Sequence, residues 1–288
     1  MRLVRDYEFT DRHFEALRGL VGEHTGIAMS EAKRELIYSR LARRLRQLGL
    51  HSFDEYCHLL KQGDEAELSN FVNAVTTNLT AFFRESHHFD YLRDTVLPAL
   101  LKRNHPSRRI RIWSAGCSTG EEPYSIAMTV REGIPRFDGW DIKILASDID
   151  SNVLAQARSG VYPEDRLRGV PQEQFRRWFR KGKGENTGLI RIAPELQALI
   201  TFAQLNLMQP WPMRGTFDVI FCRNVVIYFD KPTQRTLFER FSNILNPEGY
   251  LVIGHSESLF NLSDRFQSLG KTIYQRCVYA EGVRRRAG

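Results

Sequence analysis

The segment from Ile110 to Ser125 runs from a β-branched stretch, Ile110-Arg111-Ile112-Trp113, through a small-residue loop holding Gly116 and Gly120, into Glu121-Glu122-Pro123-Tyr124. The two glycines permit a tight turn and close backbone approach, and a helix starting after such a loop turns its free N–H groups toward whatever the loop holds. The loop ends in carboxylates instead of Lys-Ser or Lys-Thr, so it offers no charge complement to a triphosphate, and its glycines lack the G-x-G-x-x-G spacing. A cationic or zwitterionic nucleoside suits it better. On these residues alone, a tight strand-to-helix turn without a ligand is an equal reading. Asp148 adds to the case, because an acid where a buried strand leaves the sheet accepts hydrogen bonds from ribose hydroxyls. It lies 32 residues after Gly116, beyond the roughly 20 of the dinucleotide fingerprint, so a longer helix and loop are expected between them. Arg223, Asn224 and Tyr228 follow the apolar run Phe217–Cys222, at the strand edge where open α/β sheets bind ligands.

These residues need a sheet to carry them. Ile110–Ala115, Lys143–Asp148 and Phe217–Cys222 read as buried parallel strands, and Leu245-Asn246-Pro247-Glu248-Gly249 as a helix end and turn before a fourth strand, Tyr250–Gly254. Together they predict a doubly wound α/β domain of Rossmann-like form. Thr272–Tyr279 alternates as a final edge strand. Residues 7 to about 90 read as helical, with Thr10, Ser30 and Ser52 as caps, so the expected division is a helical domain over 1–90 and an α/β domain over 91–288. From 159 to about 205 the sheet pattern is interrupted by a charged helix, Gln172–Arg180, a glycine-rich turn, Gly182–Gly188, and the strand-like Leu189–Ile192. This predicts an inserted antiparallel β-subdomain.

Over all 288 residues, 42% are hydrophobic, enough for a large core. Four dispersed cysteines without a C-x-x-C pair indicate neither a zinc site nor a disulfide framework, and no metal is expected. A reducing cytoplasm is the simplest compartment. The start Met1–Asp6 lacks an apolar signal region, and no run of about 18 apolar residues is present to span a membrane. The net charge of +7 favours an acidic partner, while Arg284-Arg285-Arg286 reads as a solvated tail.

With these residues in view, the chain closely resembles the CheR family of chemotaxis receptor methyltransferases. The resemblance rests on Thr76–Glu85, the loop from Gly116 to Tyr124, Ala146–Asp150, Asn206-Leu207, Cys222–Lys231 and Gly254–Ser258, and it covers nearly the whole chain. It implies S-adenosylmethionine as cofactor, S-adenosylhomocysteine as product, and methyl transfer to glutamate side chains on the cytoplasmic helices of bacterial chemoreceptors, in sensory adaptation. It also implies that Asn78, Thr80, Arg84, Glu122, Asp148, Asn206, Leu207, Arg223 and Asn224 line the cofactor site. Asp148 would meet the ribose, and Asn206 and Leu207 the adenine. Glu122 would either meet the cofactor's amino group or serve only as a helix-start acid. Arg84 suits a carboxylate, from the cofactor's methionyl end or from the substrate. Tyr228 either orients the substrate near the methyl group or is a buried core residue.

A glutamate with a pKa of about 4.3 is ionised at neutral pH, so this chemistry needs alignment and partial desolvation of the nucleophile, with no general base. His87 and His88 then serve as surface or packing residues, and Cys117 and Cys222 as small buried ones. On the segment Lys33–Leu48, Ile37, Leu41, Leu45 and Leu48 form an apolar stripe, with Arg40, Arg43 and Gln47 on a flank beside it and Arg44 adjacent to Arg40. Such a flank is ordinarily solvated, and the resemblance turns it into a docking face for glutamate-bearing helices. The resemblance makes the insert, with Arg177, Arg180, Lys181 and Lys183, a candidate tether for a receptor C-terminal tail peptide; a lid or packing element with no partner is the other reading. Two rival readings are an RNA methyltransferase and a non-catalytic cofactor-sensing module. The first lacks an aromatic-interleaved basic sheet, so no nucleic acid is expected; the second sits poorly with the intact Arg84, Asp148 and Arg223-Asn224.

Overall fold

The computed structural model describes residues 6–134 and 136–278; Met1–Arg5, the last residue of the expected strand, Tyr279, and the tail Arg284–Arg286 lie outside the described residues. Helix α1 (Asp11–Thr25) opens with a reciprocal cap, in which Thr10 Oγ1 accepts from His13 N at 3.3 Å and His13 Nδ1 from Thr10 N at 3.2 Å. Ser30 makes no side-chain cap before α2 (Arg34–Leu48), which enters through a short 3₁₀ turn instead. Helices α3 (Phe53–Lys61) and α4 (Glu65–Val75) are capped by Ser52 and Asp64. Their shared core holds Leu17, Leu41, Leu45, Phe53 and Phe71, none with exposed surface. Burial of each such side chain contributes about 1.5–3 kcal/mol.

That helical core ends at Val75. Phe82 and Phe89, placed by the sequence reading within the helical domain of 1–90, pack instead into the α/β core. The connection continues through α5 (His87–Tyr91), one π turn at Leu92–Val96 and α6 (Leu97–Arg103).

The second domain alternates β1 (Arg109–Ala115), α7 (Glu121–Gly133), β2 (Asp141–Asp148) and α8 (Ser151–Ser159). A small subdomain follows, of β3 (Val161–Pro163), α9 (Gln172–Trp178), β4 (Phe179–Lys181) and β5 (Leu189–Ile192), and then α10 (Pro194–Gln197). The chain closes with β6 (Ile200–Gln204), β7 (Phe217–Cys222), α11 (Lys231–Ile244), β8 (Leu245–Ile253), β9 (Phe266–Gly270) and β10 (Ile273–Arg276). The main sheet has seven strands in the order β6-β2-β1-β7-β8-β10-β9, parallel except for β10, and is the doubly wound Rossmann-like sheet expected. Successive strands are laid outward in opposite directions from the β1–β7 pair, so the topological switch point lies between them. Alternation along β1 sends Ile110 and Ile112 to one face and Trp113 and Ala115 to the other, each into its own apolar cluster.

Three strand assignments change. Ile200–Gln204, read as part of the insert of 159–205, pairs in parallel with β2 as an edge of the main sheet, and the separate antiparallel sheet β3-β5-β4 ends at Ile192. The expected edge strand at 272–279 is β10, which lies one place inside the edge; β9 covers it, with a single buried residue and hence no apolar pattern to announce it. Pro247-Glu248-Gly249 is a bulge within β8, because Phe217 pairs with Leu245 while Val219 pairs with Tyr250.

Candidate active site

Strands β6, β2, β1 and β7 deliver their C-terminal ends to one cavity, which is also lined by Thr25, Ile27, Lys33 and Val75 from the helical domain. Asn206 Nδ2 donates to His24 O at 2.5 Å, Ala28 N to Tyr228 O at 2.7 Å, and Asn73 Nδ2 to Ser151 Oγ at 2.9 Å, so the two domains are hydrogen-bonded across it. Gly116 follows β1 with a φ of 82°, and a Cβ there would stand 2.4 Å from Val225 Cγ2. Gly120 has a φ of 99° and starts α7 against Ala157 and Tyr162. The loop between them therefore hugs the sheet and leaves the space above it open.

The nine residues expected around a cofactor, Asn78, Thr80, Arg84, Glu122, Asp148, Asn206, Leu207, Arg223 and Asn224, all line this cavity, and so does Tyr228. At the end of β2, Asp148 is 8% exposed; Oδ2 accepts from Ser118 N at 2.8 Å and Oδ1 from Asp150 N at 3.0 Å. Burial pushes this carboxyl up, against the pull of those backbone donors. Each oxygen keeps a second lone pair, which a vicinal diol can use. Asn78 is held by Asp150, whose Oδ2 accepts from its Nδ2 at 2.7 Å. The side chain of Asn206 is held at both ends, donating to His24 O and accepting from Met208 N at 2.9 Å.

Beneath the floor lies a buried charge network. Arg223, with a side chain 2% exposed, stands between Glu122 at 3.1 Å and Glu85 at 3.3 Å and also donates to Arg84 O. Glu122 further accepts from Ser114 Oγ at 2.7 Å; burial pushes its carboxyl up while Arg223 pulls it down. Of the two roles left open for Glu122, the helix-start acid omits this pairing with Arg223. Burial acts upward on Glu85 as well, but its His255 hydrogen bond and Arg223 outweigh that and bring the pKa down to about 2. Two carboxylates thus share one guanidinium, an excess of negative charge suited to a ligand with a cationic group.

The cavity is also lined by Arg84, which donates to Leu79 O at 2.9 Å, by half-buried Tyr228, and by Lys33, whose Nζ lies 4.4 Å from the Tyr228 ring centroid. Tyr228 is therefore not the buried core residue of the alternative reading. Sequence reasoning missed Lys33, the residue before α2, and Glu257. The buried Glu257 carboxylate accepts from Asn224 N (2.9 Å), Gly254 N (2.6 Å) and Ile227 N (3.2 Å), and holds Asn224 at a left-handed φ of 58°. Its motif position was visible, but two of its three backbone donors, Asn224 N and Ile227 N, lie 33 and 30 residues away in sequence and leave no local pattern.

The basic flank of α2 divides. Arg40 Nη1 donates to Ala74 O at 3.2 Å and to Thr76 O, and Arg44 forks onto Glu67, which is 4% exposed and also receives Tyr56 Oη at 2.9 Å. Both hold α2 against α4 and its C-terminus. Arg43 alone of the three is exposed. His88 is buried, with Nε2 at 2.9 Å from Lys271 O, and burial followed by the charge of Arg223 lowers it to about 4. Glu85, His87 and His88 bring donor atoms within 4.8 Å of one another, and Arg223 supplies the counter-charge to Glu85 there. Burial raises the thiols of Cys117 and Cys222.

Residues 12–76 match the family described as CheR methyltransferase, all-alpha domain, and residues 78–275 the CheR methyltransferase, SAM binding domain. The chain is 49% identical over 272 residues to chemotaxis protein methyltransferase 2 of Pseudomonas aeruginosa, covering 94% of this chain and 95% of the relative. It is 43% identical over 280 residues to the chemotaxis protein methyltransferase of Escherichia coli strain K12, covering 95% and 94%. The protein belongs to the CheR methyltransferase family, with S-adenosylmethionine as its cofactor and chemotaxis as the process it serves.

Proposed function

We propose that the enzyme transfers methyl groups to glutamate side chains on the cytoplasmic helices of chemoreceptors, forming methyl esters for sensory adaptation, and that it works in the cytoplasm. The observation that carries this reading is that two cations, Arg84 and Lys33, line the cavity together with Tyr228. Such a set suits the binding and orienting of an anion. When bound, S-adenosylmethionine supplies a methyl carbon activated by the adjacent sulfonium. Asp148 would hold the ribose hydroxyls, Asn206 and Leu207 the adenine, and Glu122 with Arg223 the amino end. Asn78, Thr80 and Asn224 complete the walls. Arg84 would bind a carboxylate, either the cofactor's or the substrate's, and Tyr228 would orient the incoming glutamate. Because that glutamate arrives ionised, these residues need only align it and strip part of its water, which can be worth up to about 7–11 kcal/mol.

Among the described residues no helix is long and apolar enough to cross a membrane, so the receptor helices must be met where they project from it. Arg43 is an exposed cation on α2 suited to that contact. In the small subdomain, Arg180 pairs with Glu195 at 3.9 Å and Lys181 with Glu164, while β4 forms an open sheet edge suited to a receptor tail peptide. Incubation with labelled S-adenosylmethionine and candidate receptor cytoplasmic domains tests the proposal. Alkali-labile methyl esters on glutamate are expected; base-stable label, or label transferred to RNA, would overturn it.

A further inference from the structure

Arg84 sits between two residues that adopt the left-handed conformation, Phe83 with a φ of 52° and Glu85 with a φ of 55°. Neither is glycine or asparagine, and such a backbone persists only where its surroundings hold it. Phe83 N donates to Ser125 Oγ at 3.0 Å, and its ring meets Phe89 edge-on with centroids 5.4 Å apart. The other anchor is the side chain of Glu85, 11% exposed. Oε1 lies 2.9 Å from His255 Nδ1, and Oε2 accepts from His255 N at 3.1 Å. One amino group, Arg223 Nη2, both donates to Arg84 O and stands 3.3 Å from Glu85 Oε2. Glu85 is thereby tied to the residue after β7 and to the loop after β8, with Arg84 between the ties. Its placement also faces a local penalty. His88 Nε2 points at the carbonyl of Lys271 and so bears the ring proton, which leaves Nδ1, buried and without a hydrogen-bond partner, turning its lone pair to Glu85 Oε2 at 3.5 Å.

We propose that Glu85 is a positioning residue, whose carboxylate, clamped by Arg223 and His255, fixes the strained backbone that presents the Arg84 side chain to the cofactor pocket. The proposal rests on the reading of Arg84 as a ligand-binding residue. Neutralising Glu85 would weaken its ties to Arg223 and His255, so the strained backbone that aims the guanidinium of Arg84 would be held less firmly.

A double-mutant cycle tests this, with Arg84→Ala, Glu85→Gln and the pair, read by calorimetric affinity for S-adenosylhomocysteine, by kcat/KM for methyl transfer, and by thermal melting. In whichever functional readout Arg84→Ala produces its loss, Glu85→Gln should lose about 10-fold, the equivalent of one charge-assisted hydrogen bond, and the pair should lose no more than Arg84→Ala alone. Thermal melting checks that each variant is folded. A functional loss in the pair equal to the product of the two single losses, or wild-type function in folded Glu85→Gln, would overturn the proposal. If Glu85→Gln does not fold, His255→Ala, at a residue with a side chain 66% exposed, releases the same clamp from outside. It should give a smaller loss in the same readout that vanishes in the Arg84→Ala background; no loss overturns the proposal. Arg84→Ala without effect on either functional readout refutes the reading of Arg84 itself, and the positioning role with it.

Discussion

Replacing Gly116 with alanine puts the turn after β1 under two loads that the structure separates. At a φ of 82°, any L side chain meets the left-handed penalty of about 1–2 kcal/mol. The added Cβ would also stand 2.4 Å from Val225 Cγ2, whereas carbon atoms rest about 3.5–4.0 Å apart, so the loop or Val225 must yield by about 1 Å. Overpacking of that kind costs about 1–3 kcal/mol. The sum is about 2–5 kcal/mol, a sizeable part of the 5–15 kcal/mol typical of a whole domain. For an α/β domain of this size, a 3 kcal/mol loss lowers the melting midpoint by about 6–12 °C. Val225 lines the cavity, so affinity for S-adenosylhomocysteine should fall as it is displaced. Val225→Ala removes both Cγ atoms and leaves only its Cβ, 3.6 Å from the new methyl group, an ordinary contact. The double variant should therefore keep the backbone penalty and lose the overpacking one, with a coupling of about 1–3 kcal/mol in its favour. Melting curves of the four proteins measure this directly. If the two substitutions add without coupling, the close approach of loop and Val225 is not what demands glycine.

Asp148→Asn should weaken S-adenosylhomocysteine binding by about 10-fold or more, because an amide cannot accept from both Ser118 N and Asp150 N and also serve a diol with both groups; unchanged calorimetric affinity in a folded variant refutes the ribose assignment. Arg43→Glu should reduce receptor methylation while leaving melting and cofactor affinity as they were, whereas Arg44→Ala strands the buried Glu67 and should cost about 3–5 kcal/mol in thermal unfolding, so equal stability of the two variants contradicts the division of the α2 face. Stability should decline as pH falls from about 6.5 to about 4, because the unfolded chain's His88 takes a proton in that window while the buried imidazole resists it. The contribution approaches 3 kcal/mol at the acid end and levels off below it. Glu85 extends the decline as pH drops from its unfolded value near 4.5 toward 2, since its ionised form is the one held in the native state. Melting of His88→Gln across this range should show a shallower slope, and an unaltered slope rejects His88 as the source.

What could be read from the chain alone was whatever is written in neighbouring residues. The apolar runs at β1, β2 and β7 say that each strand is buried on both faces, the glycines at 116 and 120 mark a turn that needs left-handed backbone, and an acid closing β2 marks the ligand edge. The helix caps at Thr10 and Ser52 are equally local, each satisfied within three residues. Periodicity says that a segment is buried without saying against what. Ile200–Gln204 reads as strand wherever it goes, and only pairing with β2 makes it an edge of the main sheet; β9 has almost no apolar pattern and exists because β10 offers it a ladder. Charges were the least legible, since their partners lie far away in sequence: Arg44 with Glu67 is 23 residues apart, Arg223 with Glu122 is 101, and His255 with Glu85 is 170. An ion pair forms only where the fold brings its two halves together and shields them from water. The sequence could therefore name the residues that surround the cavity, while the fold decided that Arg40 and Arg44 are tied within the helical domain, that Glu257 shapes the Asn224 loop, and that Glu85 lies under Arg84.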